Sequence, residues 1–361
     1  MKILHFHPDG RMAALFIVPL VEAERKRGHT SELVTSIRKS KTSAVEIAYD
    51  LSLRNLLFLP FAFFQICALI KARKPDILIS HNTKSSPLPL LAGWLMGVKV
   101  RIYFNHGVPY VGYAGLMRKV LRLFERFNCA LATTILTVSS DMIRLLKDVS
   151  SNIQPTTILN GSACGLDTEI YNKERYQAST WRQENHIAQD DIVVVFVGRP
   201  ERRKGFEHAL HVWTDYLTES KYKLVLCGAE LSDVLRFMPQ VPSNVICLGF
   251  VKNIPEILSS ANALIMPSLH EGLSYAVLEA MACGCVVVAN DIEGIRSLVS
   301  DGENGYLVKN NLLATYADLI RTVGAEQNNA SGMKDKAIST AAMFSRKLFI
   351  SAYLSFLDDL I

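Results

Sequence analysis

The stretch Ala263-Leu-Ile-Met266, Pro267, Ser268-Leu-His270-Glu271-Gly272-Leu273-Ser274-Tyr-Ala-Val-Leu-Glu279-Ala-Met-Ala-Cys-Gly284, with Val286–Ala289 behind it, decides the fold. Four apolar residues read as a buried strand, a glycine turn follows, a run of small and apolar residues reads as a helix, and a second apolar strand closes the unit. Strand, crossover helix and strand in that order belong to a parallel sheet. The same alternation runs on both sides. Ile192–Val197, Lys223–Cys227 and Val245–Leu248 read as strands, with helical periods at Glu207–Leu217 and Ile254–Ser260. In the first half, strands are expected at Lys2–Phe6, Ile77–Ser80, Val100–Phe104 and Thr134–Val138, and helices at Leu15–Arg27, Leu56–Ala72 and Leu116–Leu131. The strands are continuous apolar runs, as both-side coverage by helices requires.

A chain of 361 residues that is 49% hydrophobic and 20% charged has material for two cores and not the composition of a disordered one. Leu166–Asp191 is polar and lacks a clean apolar period, so it is read as the connection between domains. The expected boundaries are 1–170, 171–342 and a terminal helix over 343–361. No secretory signal is read in Met1–His7, which begins a strand at once. Seven scattered cysteines fit small buried hydrophobes in a reducing compartment, and Cys283 and Cys285 have no second ligand pair for zinc.

Charge is divided unevenly. Residues 1–165 hold 21 Lys and Arg against 10 Asp and Glu, and the remainder holds 18 against 24. A basic half suits an anionic partner. Arg118, Lys119, Arg122 and Arg126 share a helix with Leu116, Leu121, Leu123 and Phe124, a basic amphipathic pattern that suits an anionic membrane surface. The apolar run Leu56–Ile70 is short for a bilayer and contains Pro60, so a buried or interfacial helix is expected there. No interleaved aromatic platform supports nucleic-acid binding.

Gly272 permits close backbone approach, and the amides of Gly272, Leu273 and Ser274 open a helix, an arrangement that receives an anion. Glu271 stands before that helix and Glu279 eight residues on, roughly 12 Å along it, about the reach from the sugar to the ribose of a nucleotide sugar. Each carboxylate suits a vicinal diol. A second strand ends in Gly198-Arg199-Pro-Glu-Arg-Arg-Lys204-Gly205. Arg199 suits bidentate phosphate contact and Lys204 a point charge, while Arg202 and Arg203 read as solvated loop charges.

These motifs, with Asp301-Gly302-Glu-Asn-Gly305-Tyr-Leu-Val, resemble the retaining glycosyltransferases of the GT-B fold, family GT4, most specifically over residues 190–310. The resemblance implies two Rossmann-like α/β domains facing each other across a cleft, with the last helix crossing back to the first. It assigns Arg199 and Lys204 to a donor diphosphate, Glu279 to ribose and Glu271 to donor-sugar hydroxyls. Cys247-Leu-Gly249-Phe250-Val251 is assigned to the base. Asn105-His106-Gly107 is similar to the family's histidine–glycine motif, which places His106 near the sugar hydroxymethyl, and His270 is expected to support the Glu271 loop. The expected catalytic set is therefore Glu271, His106, Arg199 and Lys204, and the donor set adds Phe250, Gly272, Leu273, Ser274 and Glu279.

His7-Pro8-Asp9-Gly10-Arg11-Met12 departs from the glycine-rich loop of many relatives and resembles a subset acting on lipid-linked sugars, with Arg11 either meeting phosphate or merely starting a helix. No D-x-D motif is present, so no metal and no cofactor are expected. The expected partners are a UDP-linked sugar, a polyprenyl-diphosphate-linked saccharide and the inner face of a bacterial membrane. The alternatives are a GT-B-like sugar-nucleotide epimerase and a silent subunit that binds nucleotide sugar or membrane.

Overall fold

The computed structural model of the chain describes residues 1–36, 45–47, 58–150, 153–325 and 331–360, without the side chains of Arg11, residues 45–47 and Ser331. The chain divides into two compact units, one of residues 1–165 with 346–361 and the other of 166–345.

The first unit runs β1 (Lys2–Phe6), α1 (Gly10–Phe16), α2 (Val18–Lys26), β2 (Thr30–Ser36), β3 (Val45–Ile47), α3 (Leu59–Arg73), β4 (Ile77–His81), α4 (Pro87–Leu95), β5 (Val100–Asn105), α5 (Gly115–Leu131), β6 (Thr134–Thr137) and α6 (Ser140–Lys147). Its six strands lie in the order β3-β2-β1-β4-β5-β6, all parallel. The second unit runs α7 (Trp181–Glu184), β7 (Ile192–Val197), α8 (Phe206–Asp215), β8 (Tyr222–Cys227), α9 (Leu231–Val234), β9 (Val245–Gly249), α10 (Ile254–Ser260), β10 (Ala263–Met266), α11 (Tyr275–Ala282), β11 (Val286–Asn290), β12 (Tyr306–Val308), α12 (Leu313–Ala325) and α13 (Ser331–Ala342). Its order is β12-β11-β10-β7-β8-β9, again all parallel. The last helix, α14 (Arg346–Asp358), belongs to the first unit.

In each sheet the chain starts in the middle, builds outward on one side and returns to build on the other. The reversal falls between β1 and β4 in the first unit and between β7 and β10 in the second. Crevices beyond the carboxyl ends of strands at such reversals are where open α/β sheets bind ligands. The core of the second unit packs Phe196, Phe206, Trp213 and Tyr316, all buried, beneath the sheet. Each large apolar side chain buried in this way contributes about 1.5–3 kcal/mol.

Several expectations are corrected. Leu15–Arg27 is two helices, because Pro19 lacks the N–H that would bond the preceding turn; it stands instead in the first turn of α2. Leu166–Asp191 is not a free connection but packs on the second unit. Trp181 is buried there, and Arg182 donates to the Ser260 carbonyl (2.8 Å) and to Asn262 Oδ1 (2.8 Å). The terminal helix starts at Arg346 rather than Met343.

Among the described residues no helix is long and apolar enough to cross a membrane. On α5 the basic pattern is present, but the exposed face is mixed: Leu116 (77% exposed), Met117, Leu123 and Phe127 stand beside Arg118, Lys119 and Arg126. Exposed Phe61 and Phe64 on α3 and Trp94 and Leu95 on α4 lie on neighbouring helices. The inward face of α5 carries Leu121, Glu125, Asn128 and Cys129.

Candidate active site

In the second unit the adjacent strands β7 and β10, paired at Val194–Ala263 and Val195–Leu264, deliver both motif loops to the same sheet end. The loops are tied together. Leu269 N–H donates to the Arg203 carbonyl (2.9 Å), and Arg203 Nη1 donates to the His270 carbonyl (3.1 Å). Asn290, at the end of β11, donates to the Ser268 carbonyl (2.9 Å). Across this seam Lys204 Nζ donates to Glu271 Oε1 at 2.7 Å. Glu271 is only 6% exposed, with Arg203 as a second cation at 4.0 Å. Arg203 is therefore not the solvated charge the sequence suggests: it latches the Glu271 loop, while His270 supplies the accepting carbonyl.

Arg199 is exposed and bridged to Glu201 at 2.8 Å. Phe250 is 86% exposed just beyond β9, after Gly249 in the left-handed region. Gly272 and Leu273 sit in the turn ahead of α11. Ser274 corrects one expectation: its amide donates to the Gly294 carbonyl (3.3 Å) and does not wait for an anion. Its hydroxyl, by contrast, is buried and has no hydrogen-bond partner. Such an orphan inside a folded chain costs about 1–3 kcal/mol unless a ligand or water completes it.

Glu279 lies on α11, where burial pushes its carboxyl up to about 7 against the opposing hydrogen bond from Tyr171 and the charge of Lys204. Tyr171 lies in the stretch read as a connection and carried no motif. Gly294 was missed as well. Its φ is +77°, and a Cβ there would stand 2.6 Å from the carbonyl oxygens of both Glu271 and Gly272, so its bare Cα backs the loop.

His106 belongs to the first unit, at the end of β5. Its Nε2 lies 2.9 Å from His81 Nδ1, and burial lowers its pKa to about 3. The turn around it is fixed by a buried network that sequence reasoning did not foresee. Asn105 Oδ1 accepts from Gly107 N–H (2.9 Å), and Asn105 Nδ2 donates to the Tyr103 hydroxyl (2.8 Å). Tyr103 and Thr83 each donate to Glu125 of α5 (2.6 Å). Burial pushes the Glu125 carboxyl up to about 7 despite those donors. The side chain of Arg11 lies outside the described residues. Among the described residues no cluster of three or more His, Cys, Asp or Glu is placed to hold a metal, and none of the seven cysteines is in a disulfide.

Two parallel α/β sheets, each with candidate chemistry at its reversal point, define an architecture of two doubly wound α/β units. The family model described as Glycosyl transferases group 1 matches residues 177–340, and that described as Glycosyltransferase Family 4 matches residues 13–161. An uncharacterized 41.2 kDa protein in the cps region of Klebsiella pneumoniae is 32% identical over 262 residues, 71% of each chain. The UDP-Gal:alpha-D-GlcNAc-diphosphoundecaprenol alpha-1,3-galactosyltransferase of Escherichia coli is 23% identical over 265 residues, 70% of this chain and 67% of its own. Anabaena HepE, solved in complex with UDP, superposes with a TM-score of 0.82 at 18% identity, over 99% of this chain and 100% of its own. The chain belongs to the GT4 glycosyltransferases, with the GT-B fold.

Proposed function

We propose that the chain moves a hexosyl or N-acetylhexosaminyl group from a UDP-linked donor to a saccharide carried on polyprenyl diphosphate, with retention and without metal, in the assembly of a bacterial surface polysaccharide such as lipopolysaccharide O-antigen. The observation that carries this reading is the Lys204–Glu271 pair, with the buried, unpartnered Ser274 hydroxyl three residues on in the same loop, at the reversal point of the second sheet. The names of the Escherichia coli relative and of the HepE complex support the nucleotide and the lipid carrier.

In this reading the donor diphosphate meets Lys204, Arg199, the Ser274 hydroxyl and the turn at Gly272 and Leu273. Glu271 accepts from sugar hydroxyls, Glu279 accepts from the ribose, and Phe250 lies against the base. Charge develops on the leaving diphosphate, and fixed cations there lower the barrier in place of a metal. The acceptor hydroxyl enters on the face the diphosphate leaves, and the departing phosphate takes its proton. The mixed basic and apolar face of α5 rests on the anionic inner surface of the membrane, with the exposed Trp94 and Leu95 of the neighbouring α4.

The test offers UDP-hexoses and UDP-N-acetylhexosamines in turn with N-acetylglucosaminyl-diphosphoundecaprenol in anionic vesicles and a chelator. One donor is expected to yield a glycoside with the donor's anomeric configuration, more slowly on neutral vesicles. Free UDP without a glycoside, inversion, or activity that only manganese restores would contradict the proposal.

Glu279 makes donor binding pH-dependent. Only the carboxylate accepts from both ribose hydroxyls, and its pKa is raised to about 7, so UDP affinity is expected to rise between pH 6 and 8. Binding near pH 7 then releases protons. Calorimetry in two buffers of different ionisation enthalpy reads this directly; heats independent of buffer would remove Glu279 from the ribose.

A further inference from the structure

At the reversal point of the first sheet, five side chains, four of them fully buried, form one hydrogen-bonded line. Tyr353 of α14 donates its hydroxyl to Glu24 Oε1 (2.7 Å). Both oxygens of Glu24, on α2, lie close to His5 Nε2 of β1 (3.0 and 3.1 Å). His5 Nδ1 meets His81 Nε2 at the end of β4 (3.0 Å), and His81 Nδ1 meets His106 Nε2 beyond β5 (2.9 Å). Tyr353, Glu24, His5 and His81 are fully buried and His106 is half-buried, so the line runs from the interior toward the surface.

The polarity of this line follows from its inner end. An ionised carboxylate only accepts, so His5 Nε2 carries a proton. A neutral His5 then has only a lone pair at Nδ1, and His81 must donate from Nε2. A neutral His81 in turn accepts at Nδ1, and His106 must donate from Nε2. We propose that Tyr353, Glu24, His5 and His81 are positioning residues that fix the tautomer of His106, leaving its Nδ1 as a hydrogen-bond acceptor toward a ligand hydroxyl.

Burial supports the neutral outer rings. It holds His81 well below the usual histidine range and His106 at about 3. Burial alone would raise Glu24, but the His5 ring and the bond from Tyr353 hold it below the usual carboxylate range. The other titratable groups facing the line are His7, lowered to about 4 chiefly by burial, and Asp9 beside it. An added proton settles where a carboxylate meets it. Taken up at His106 Nδ1, it displaces the Nε2 proton to His81 Nδ1, which displaces its own to His5 Nδ1. The imidazolium is then paired with Glu24, and His81 and His106, still neutral, have exchanged tautomers. The line therefore has two polarities: His106 Nδ1 accepts in one and donates in the other.

The inference rests on the proposed function only for the identity of the hydroxyl, and its test needs no substrate. Long-range proton–nitrogen spectra of the full-length chain labelled with ¹⁵N-histidine read each tautomer. At pH 8, His81 and His106 are expected as Nε2–H, and on acidification both switch to Nδ1–H without becoming charged. Glu24→Gln keeps the shape but removes the charge that holds the added proton; breaking such a buried pair moves the switch down by about 2 pH units or more. Tyr353→Phe removes one donor from Glu24, makes it the stronger base and moves the switch up. A merely structural role would lower the melting temperature of both variants without moving the switch in opposite directions. His106 found as Nδ1–H in the wild type at pH 8, or tautomers that respond to pH identically in all three proteins, would overturn the proposal; Tyr353→Phe decides alone if Glu24→Gln does not fold.

Discussion

Lys204→Ala is expected to lower kcat/KM by about 10²-fold or more, because it removes a preorganised cation from the place where leaving-group charge develops. The structure adds a second consequence. Lys204 is the close partner of Glu271, which is buried and has Arg203 as a second cation at 4.0 Å. Without Lys204 that carboxylate loses its hydrogen-bonded counter-charge and the contact that fixes its orientation toward a sugar hydroxyl. The two residues should therefore behave as one device. Glu271→Ala is expected to cost a similar factor, and the double variant little more than either single one. Steady-state rates on the four proteins of this cycle check the prediction. Losses that multiply would show that the pair in the resting protein is not the unit that acts, and an unchanged turnover in Glu271→Ala would remove that residue from the site.

Gly205→Ala is the substitution expected to damage the site most without touching a charge. Gly205 has φ +69° and directly precedes α8, and a Cβ there would stand 2.0 Å from the Pro267 carbonyl oxygen. The left-handed conformation alone costs an alanine about 1–2 kcal/mol. The clash is with backbone, so the loops carrying Lys204 and Glu271 must separate. In a unit of this size each kcal/mol is worth roughly 2–4 °C, so a melting temperature lower by several degrees is expected, together with loss of UDP binding. Gly112→Ala, where a Cβ meets nothing within 4 Å, serves as the neutral control. A Gly205→Ala protein that melts and binds like the wild type would show that the two loops are not held in the arrangement described.

What the sequence disclosed follows from which forces are local. The central strands of both sheets are buried on both faces, so their continuous apolar runs are visible without a partner. The turns at Gly198 and Gly272 carry residue types that few other structures need. β2 was missed because Thr30-Ser-Glu-Leu-Val-Thr-Ser36 looks polar, yet its Ser31, Thr35 and Ser36 are buried. α4 was missed because it opens with Pro87 and Pro89, which are harmless in a first helical turn, where a backbone N–H donor would have no intrahelical acceptor. Arg203, Gly294 and Tyr171 act on carbonyls and carboxylates brought to them by the fold, and no spacing announces that. The histidine line is the extreme case: His5 lies 76 residues from His81, and His81 lies 25 from His106. Taken singly in a sequence with nine histidines, each reads as an ordinary core residue. Only the parallel order β1-β4-β5 makes them neighbours.

Calorimetric titration of UDP, GDP and ADP into the wild type and Glu279→Ala, without metal, tests the donor site most directly. UDP is expected to bind the wild type in preference to GDP and ADP, and Glu279→Ala to weaken that binding sharply. A wild type that binds none of the three nucleotides, or a Glu279→Ala protein that binds UDP as well as the wild type, would contradict this expectation.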